Sequence, residues 1–248
     1  MAETIRGLSV TGLALHERGR DFDEFIGAGE IVGLAGLDGH GQDGFLEALA
    51  GLAAPARGRI ALMRDGVRMP VVGFRGAAAN GIAYLPRDRR AAGIFPNLSV
   101  LDNFAIASIS RDVRSLLIST RARRKRYETF RERLSIVADD PEHAITRLSG
   151  GNQQKVLLAR LLARDPLALL LNDPTRGVDV ATRRVLYKVF RELAGAGMTM
   201  VILSSEIEEL AGLCDRVLVF REQELAVRLA AQRLTSEHII AAMFGEAS

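Results

Sequence analysis

Apolar residues in this chain fall in short unbroken runs separated by glycine turns and amphipathic stretches, and that pattern sets out most of its elements. Glu30–Ala35 (EIVGLA) is apolar and rich in branched residues, which predicts a strand. It runs into a glycine-rich turn over Gly36–Gly44, and Phe45–Leu52 then reads as a helix. Arg59–Leu62 and Pro70–Phe74 predict short strands, and Gly81–Leu85 predicts another, stopped by Pro86. From Asn97 to Arg147 the periodicity turns helical, with Ser99 as a cap, and reads as an inserted helical subdomain. Asn152–Arg164 is a helix, and Leu167–Leu171 is wholly apolar, the signature of a strand buried on both faces of a parallel sheet. Ala181–Ala194 (helix), Met198–Ser204 (strand), Glu206–Leu213 (helix) and Arg216–Phe220 (strand) follow, and Thr235–Phe244 closes as a helix capped by Thr235 or Ser236. Strands alternating with helices predict an α/β fold around a mostly parallel central sheet with flanking helices.

Composition narrows this reading only a little. A chain of 248 residues, 48% of them hydrophobic, can bury one large α/β core with room for an insertion. No apolar run reaches the roughly 18 residues that a membrane-spanning helix needs. Met1-Ala2-Glu3-Thr4 lacks a basic-then-apolar signal pattern. The single Cys214 cannot form an internal disulfide, which suits a reducing compartment, and beside Asp215 it reads as a buried small hydrophobe. Net charge is +3, with one dense basic run over Arg121–Arg126. Tyr127 and Phe130 fall at helical spacing, so the run reads as the solvated face of a helix over Arg123–Leu134 and not as a nucleic-acid patch. No internal repeat or low-complexity linker interrupts the chain.

The chemistry concentrates in two glycine turns. Gly36-Leu37-Asp38-Gly39-His40-Gly41-Gln42-Asp43 keeps the glycines of the phosphate-loop pattern G-x-x-x-x-G-K-[ST], between a strand and a helix. Its backbone can still wrap a phosphate. Gln42, however, stands where the pattern has lysine, and Asp43 where it has serine or threonine. The missing ammonium is worth about 4 kcal/mol per unit charge at about 4 Å and an effective dielectric near 20. Asp43 adds a negative charge beside a polyanion unless a divalent cation lies between them. The second turn, Leu148-Ser149-Gly150-Gly151-Asn152-Gln153-Gln154-Lys155, presents a hydroxyl and backbone N–H groups at a helix N-terminus, a place to hold a phosphate.

Taken in order, LSGGNQQK, an apolar strand and Asp173-Pro174-Thr175-Arg176-Gly177-Val178-Asp179 resemble the ATP-binding subunits of ABC transporters. The NQQK and RGVD extensions are most similar to the bacterial importers of monosaccharides. The resemblance covers nearly the whole chain and implies a P-loop NTPase of the ABC type. It would be one domain, with a core lobe over about 1–95 and 153–248 and a helical subdomain over about 96–152. ATP and Mg²⁺ are the cofactors that it implies. Gly36 through Asp43 would then bind phosphate, and Leu148, Ser149, Gly150, Gly151, Asn152, Gln153 and Asp179 would contact nucleotide across a head-to-tail dimer.

Where the family places a Mg²⁺-holding Asp and a water-orienting Glu, this chain has Asn172 and Asp173. Arg87 stands where a Gln or an acid senses the γ-phosphate, and Ser205 where a His touches it. The loss of a carboxylate at Asn172 and the gain of one at Asp43 suggest that the pair shares the metal. The remaining histidines, His16, His143 and His238, are scattered, and no early tyrosine stands ready to stack adenine.

Such a chain looks like the degenerate second half of a sugar-importer ATPase. It would work with a competent second nucleotide-binding domain and with permease subunits, and indirectly with a periplasmic substrate-binding protein. Its place would be the cytoplasm, on the inner face of the plasma membrane, with no role in binding nucleic acid. The alternatives are an active ATPase built on a rearranged site and the ATPase of a nucleoside importer.

Overall fold

The computed structural model describes residues 5–114 and 117–246, and the chain falls into two compact units. The first takes the chain to Tyr84, then Leu167–Asp173 and Arg191 onward. It holds β1 (Gly7–Ala14), β2 (Phe22–Gly27), β3 (Ile31–Ala35), α1 (Gln42–Leu49), β4 (Arg57–Arg64), β5 (Val67–Pro70), α2 (Gly73–Ala79) and β6 (Ile82–Leu85, ending one residue past the boundary). The second unit takes Leu85–Pro166 and Pro174–Phe190. Here lie α3 (Val100–Ala105), a short hairpin of β7 (Val113–Arg114) and β8 (Leu117–Ile118), α4 (Thr120–Arg133) and α5 (Gly150–Leu162). After α5 come β9 (Ala168–Asn172), α6 (Val180–Gly195), β10 (Thr199–Leu203), α7 (Ile207–Leu213), β11 (Arg216–Arg221), β12 (Glu224–Ala230) and α8 (Ser236–Phe244).

A six-stranded sheet runs in the order β12-β11-β3-β10-β9-β6, beside a four-stranded antiparallel sheet β2-β1-β4-β5. β11, β3, β10 and β9 are mutually parallel, and β12 joins as an antiparallel edge on β11. Every residue of β3, β9 and β10 is buried, which is why these strands are continuously apolar and not alternating. The core of this unit gathers Leu8, Ile26, Phe45, Leu46, Leu170 and Phe220, with the rings of Phe45 and Phe220 5.2 Å apart. Gly33 in β3 is a close-packing glycine. A Cβ there would meet Val217 Cγ2 at 2.8 Å and Cys214 Sγ at 2.9 Å. Cys214 is buried, and desolvation pushes its thiol pKa far above the usual range, so it behaves as an inert small hydrophobe.

In the second unit α3, α4 and α5 pack on Phe104, whose ring lies 5.6 Å from Tyr127 and 5.5 Å from Phe130. Ser99 caps α3, its Oγ accepting from Asp102 N at 3.0 Å. The stretch read as continuously helical is broken. A 3₁₀ segment follows α3, and the β7–β8 hairpin separates it from α4.

The basic run also differs from a solvated face. Arg121, Arg124 and Lys125 are exposed, but Arg126 donates to fully buried Asp112 at 2.8 and 3.0 Å and lies 5.0 Å over the Phe104 ring. Arg123 pairs with Asp102 at 2.6 Å. Two of these arginines therefore turn inward, because the hairpin brings a buried carboxylate to them.

The Pro70–Phe74 strand is not formed. β5 ends at Pro70, and α2 starts at Gly73, whose φ of +66° makes the corner. β1 and β12 are not predicted from the sequence, because register irregularities in the β1–β2 and β11–β12 pairs break the alternation that marks a strand, and β2 carries acidic Asp23 and Glu24 in its middle. α1 begins at Gln42, inside the predicted turn.

Candidate functional site

The glycine loop between β3 and α1 is shaped by its own backbone. His40 N donates to Leu37 O at 3.0 Å, and Gly39 and Gly41 hold φ of +78° and +110°, which side-chain-bearing residues rarely adopt. Gln223 N donates to His40 O at 2.9 Å, pinning the loop to the turn after β11. A Cβ on Gly41 would sit 2.8 Å from Gln223 Cα, so this contact requires glycine. Gly41 caps α1 with no side-chain hydrogen bond, and the first N–H groups of the helix have no partner within it. This is the backbone half of a phosphate cradle.

The side chains tell a different story. Gln42 is buried, and its Nε2 donates to Leu37 O at 2.8 Å and to Gly36 O at 3.3 Å. The amide is folded back onto the loop that would hold the ligand. Its Oε1 is buried with no hydrogen-bond partner among the described residues, and a Cβ on Gly36 would lie 2.5 Å from it. Asp43, half-buried, stands in the first turn of α1. Asp38 and Gly39 are exposed. A cavity of about 210 Å³ flanks the loop, lined by Leu15, Gly39, Gly41, Asp43, Gly44 and Gln223.

At the end of β9, Asn172 is buried, and its side chain bonds the phenol of Tyr84. Burial raises the Tyr84 pKa against that bond, and Glu47 and Asp43 raise it further by repulsion. Asp43 and Asn172 thus both act on Tyr84, a residue that sequence reasoning passed over; its place at the end of a strand just before Pro86 was the available signal. Asn172 Oδ1 is buried with no partner among the described residues. No group of three His, Cys, Asp or Glu gathers to hold a metal ion among the described residues.

Asp173 and Ser205 come together. Asp173 takes a left-handed φ of +47°, its N donates to Leu203 O at 2.8 Å, and its Oδ1 accepts from Ser205 N at 2.7 Å and Ser205 Oγ at 3.0 Å. A buried, braced carboxylate on strained backbone at a strand end is a positioned group. Below it, Ser204 Oγ donates to buried Glu209 at 2.5 Å and accepts from Glu206 N at 3.0 Å.

In the second unit, exposed Ser149 caps α5. Its Oγ accepts from Asn152 N at 3.4 Å and Asn152 Nδ2 at 3.1 Å. The following side chains are tied to backbone. Asn152 Oδ1 accepts from Val137 N (2.8 Å), Gln153 donates to Leu148 O (3.0 Å), Gln154 to Pro174 O (2.8 Å), and Lys155 to Ser135 O (2.8 Å). Burial lowers the Lys155 pKa, with Asp179 opposing. The NQQK run therefore fixes the helix entry and leaves Ser149 at the surface. Asp179 caps α6, accepting from Thr182 N at 2.9 Å and from Thr182 Oγ1 at 2.8 Å. Gly151 lets that cap approach, since a Cβ would stand 2.9 Å from Thr182 Oγ1. Arg87 is exposed. Next to it, Asp88 caps a π-helical turn over Arg89–Gly93 by accepting from Arg90 N and Ala91 N, which lowers its pKa.

Two glycine turns, a braced acid after a buried strand and a serine-capped helix stand where the ABC-type resemblance expects them, and the comparisons bear on the family. The family model described as ABC transporter matches residues 20–176. A putative ribose/galactose/methyl galactoside import ATP-binding protein of Agrobacterium fabrum is 39% identical over 237 residues, covering 96% of this chain and 47% of that protein. The ribose import ATP-binding protein RbsA of Pseudomonas putida is 39% identical over 238 residues, with shares of 96% and 46%. The chain thus spans about half the length of the curated relatives it matches.

Among solved structures, the dimeric ATP-binding cassette MJ0796 bound to ADP and Pi has a TM-score of 0.75 at 21% identity, over 90% of this chain and 98% of that one. The cbiO1 structure from Clostridium perfringens, part of a cbiONQ transporter complex, scores 0.76 at 20% identity, over 95% and 93%. With the P-loop ABC ATPase fold shared along nearly its full length and sequence identity far above the level of fold likeness alone, this chain belongs to the ABC transporter family.

Proposed function

We propose that this chain is the ATP-binding half of an ABC sugar importer whose own phosphate loop does not catalyse and whose signature turn, Ser149–Gly151, completes the site of a partner domain. The contrast between the two turns carries the reading. Gln42 closes the loop on its own carbonyls, while Ser149 caps an intact helix entry at the surface. Sugar as cargo rests on relatives named for ribose and galactose import.

The loop backbone suits a phosphate, but its side chains do not suit a magnesium-bound triphosphate. The position for a cation holds a buried amide, Asp43 repels phosphate, and Asn172 brings a neutral carbonyl in place of a carboxylate. On this reading Gly36–Asp43 carries no hydrolytic step. Ser149, with the N–H groups of Gly150 and Gly151, would donate to the triphosphate held by the partner, and Asp179 would lie near that interface. Arg87 would face the permease side of the helical insertion. The whole assembly would be a head-to-tail pair of nucleotide-binding domains on the cytoplasmic face of permease subunits, supplied by a periplasmic binding protein. The chain would be organised as one domain with a helical insertion over about 96–152.

The bracing of Asp173 by Ser205 favours a second reading, a rearranged site that hydrolyses ATP by itself. Titrating Mg²⁺-ATP into the purified chain, with heat and phosphate release followed together, separates them. Binding without release, or no binding, is expected. Steady release above an Asp173→Ala control would establish the second reading and end the first.

A further inference from the structure

Arg89 lies against the signature turn. Its Nη1 donates to Arg176 O at 3.0 Å, and a Cβ on Gly150 would collide with its Nη2. A Cβ on Gly177 would lie 3.7 and 3.8 Å from Nη1 and Nη2, so the guanidinium sits in a slot between two glycines. Nε is buried with no hydrogen-bond partner among the described residues. Among the described residues no carboxylate is bonded to it. The neighbouring Asp88 spends its Oδ1 on Arg90 N and Ala91 N. Burial, and then repulsion from Arg90, lower the Arg89 pKa, and Asp88 only partly opposes them.

This is an adverse place for a cation. The N-terminus of α5 carries the positive end of the helix dipole, which opposes a guanidinium there, and the one backbone group shown to offset this is the Arg176 carbonyl that accepts from Nη1. An anion seated between them reverses the sign of both interactions. A guanidinium also matches a phosphate with two parallel donors, which a helix end alone cannot offer. Ser149, which precedes Gly150, is exposed at the same helix entry. Gly150 then has a second use: it opens the room that Arg89 occupies.

We propose that Arg89 is a phosphate-contacting residue of the signature surface, acting with Ser149 and the N–H groups of Gly150 and Gly151, and that it makes this surface prefer the more highly charged terminus of a triphosphate. This rests on the reading of Ser149–Gly151 as a nucleotide contact.

The test uses the full chain labelled for NMR, with inorganic phosphate, pyrophosphate and tripolyphosphate titrated in turn. The amides of Ser149, Gly150 and Gly151 are followed in wild type, Arg89→Lys and Arg89→Gln. In wild type those amides should respond, with affinity rising along the series. Arg89→Gln should weaken tripolyphosphate by about tenfold, as loss of one charged hydrogen-bonding group implies, and should flatten the rise with charge. Arg89→Lys should restore part of the charge dependence. The Arg176–Gly177 amides in the free protein report whether a variant has reshaped the turn. Equal responses in wild type and Arg89→Gln would overturn the role of Arg89 and leave the signature reading standing. No response at Ser149–Gly151 in any of the proteins would overturn both.

Discussion

Replacing Gln42 tests how the phosphate loop is closed. Gln42 Nε2 donates to Leu37 O at 2.8 Å and Gly36 O at 3.3 Å, and on the proposed reading a phosphate would have to displace these bonds to enter the loop. One well-formed and one long hydrogen bond amount to about 1.5 kcal/mol, a factor of about 10 in binding. Gln42→Ala removes that closure and the buried Oε1 that has no partner among the described residues. Mg²⁺-ATP should therefore bind the alanine variant about tenfold more tightly than wild type. A mere loss of a ligand-binding amide would have the opposite sign. Gln42→Lys removes the closure and also supplies a positive charge. Its attraction for phosphate is about 4 kcal/mol at about 4 Å and a dielectric near 20, of which desolvation of the ammonium takes back a share. A further gain of about tenfold or more over alanine is expected. Isothermal titration calorimetry measures all three proteins, with thermal melts to confirm that each is folded. Weaker binding by Gln42→Ala than by wild type would refute the closure. A lysine variant no tighter than alanine would show that the backbone is a plain strand–helix turn with no phosphate geometry.

The buried Arg160 donates to Asn103 O at 2.5 Å, Gly93 O at 2.6 Å and Asn103 Oδ1 at 2.9 Å, the last of which also accepts from Phe95 N, so Arg160→Leu removes three buried hydrogen bonds from a charged donor and should cost about 3–5 kcal/mol in a denaturant titration; a loss under about 1 kcal/mol would refute the clamp. Asp112 is fully buried and holds Arg126, so Asp112→Asn should destabilise by about 2–4 kcal/mol, checked the same way, and an unchanged midpoint would show the pair to be idle. The Asp179 pKa is lowered first by the Thr182 N bond and then by the Thr182 hydroxyl. Because the folded pKa lies below the unfolded one, this cap contributes fully above the ordinary carboxylate value and fades as pH falls through the lower folded value. Asp179→Asn should accordingly reduce the acid sensitivity of stability in that window, and acid unfolding curves that superimpose for both proteins would contradict it.

Much of the architecture was legible because burial on both faces leaves a plain mark. Leu167–Leu171 and Met198–Ser204 could be read as strands since a parallel sheet covered by helices admits only apolar side chains. The two glycine turns before α1 and α5 were legible as spacing of glycines, and Ser99 and Thr235 as caps, because these are local backbone demands. β1 and β12 were hidden by irregularities that reset the register, β2 by its acidic middle residues, and α2 by the two glycines within Gly73–Ala79.

What spacing could not decide was which way polar side chains turn. The sequence by itself determined that Gln42 replaces a lysine, that Asn172 and Asp173 follow a buried strand, and that a basic run lies over Arg121–Arg126. Only the tertiary structure decided that Gln42 folds onto the carbonyls of its own loop and that Ser205 braces Asp173. It also turned Arg126 inward to a buried carboxylate and lodged Arg89 between Gly150 and Gly177. The reason is physical. A glycine's φ or a helix cap is set by neighbours a few residues away, whereas a long polar side chain chooses among partners brought close by folding, from β9 to the loop after β10 or from the turn after β6 to the start of α5.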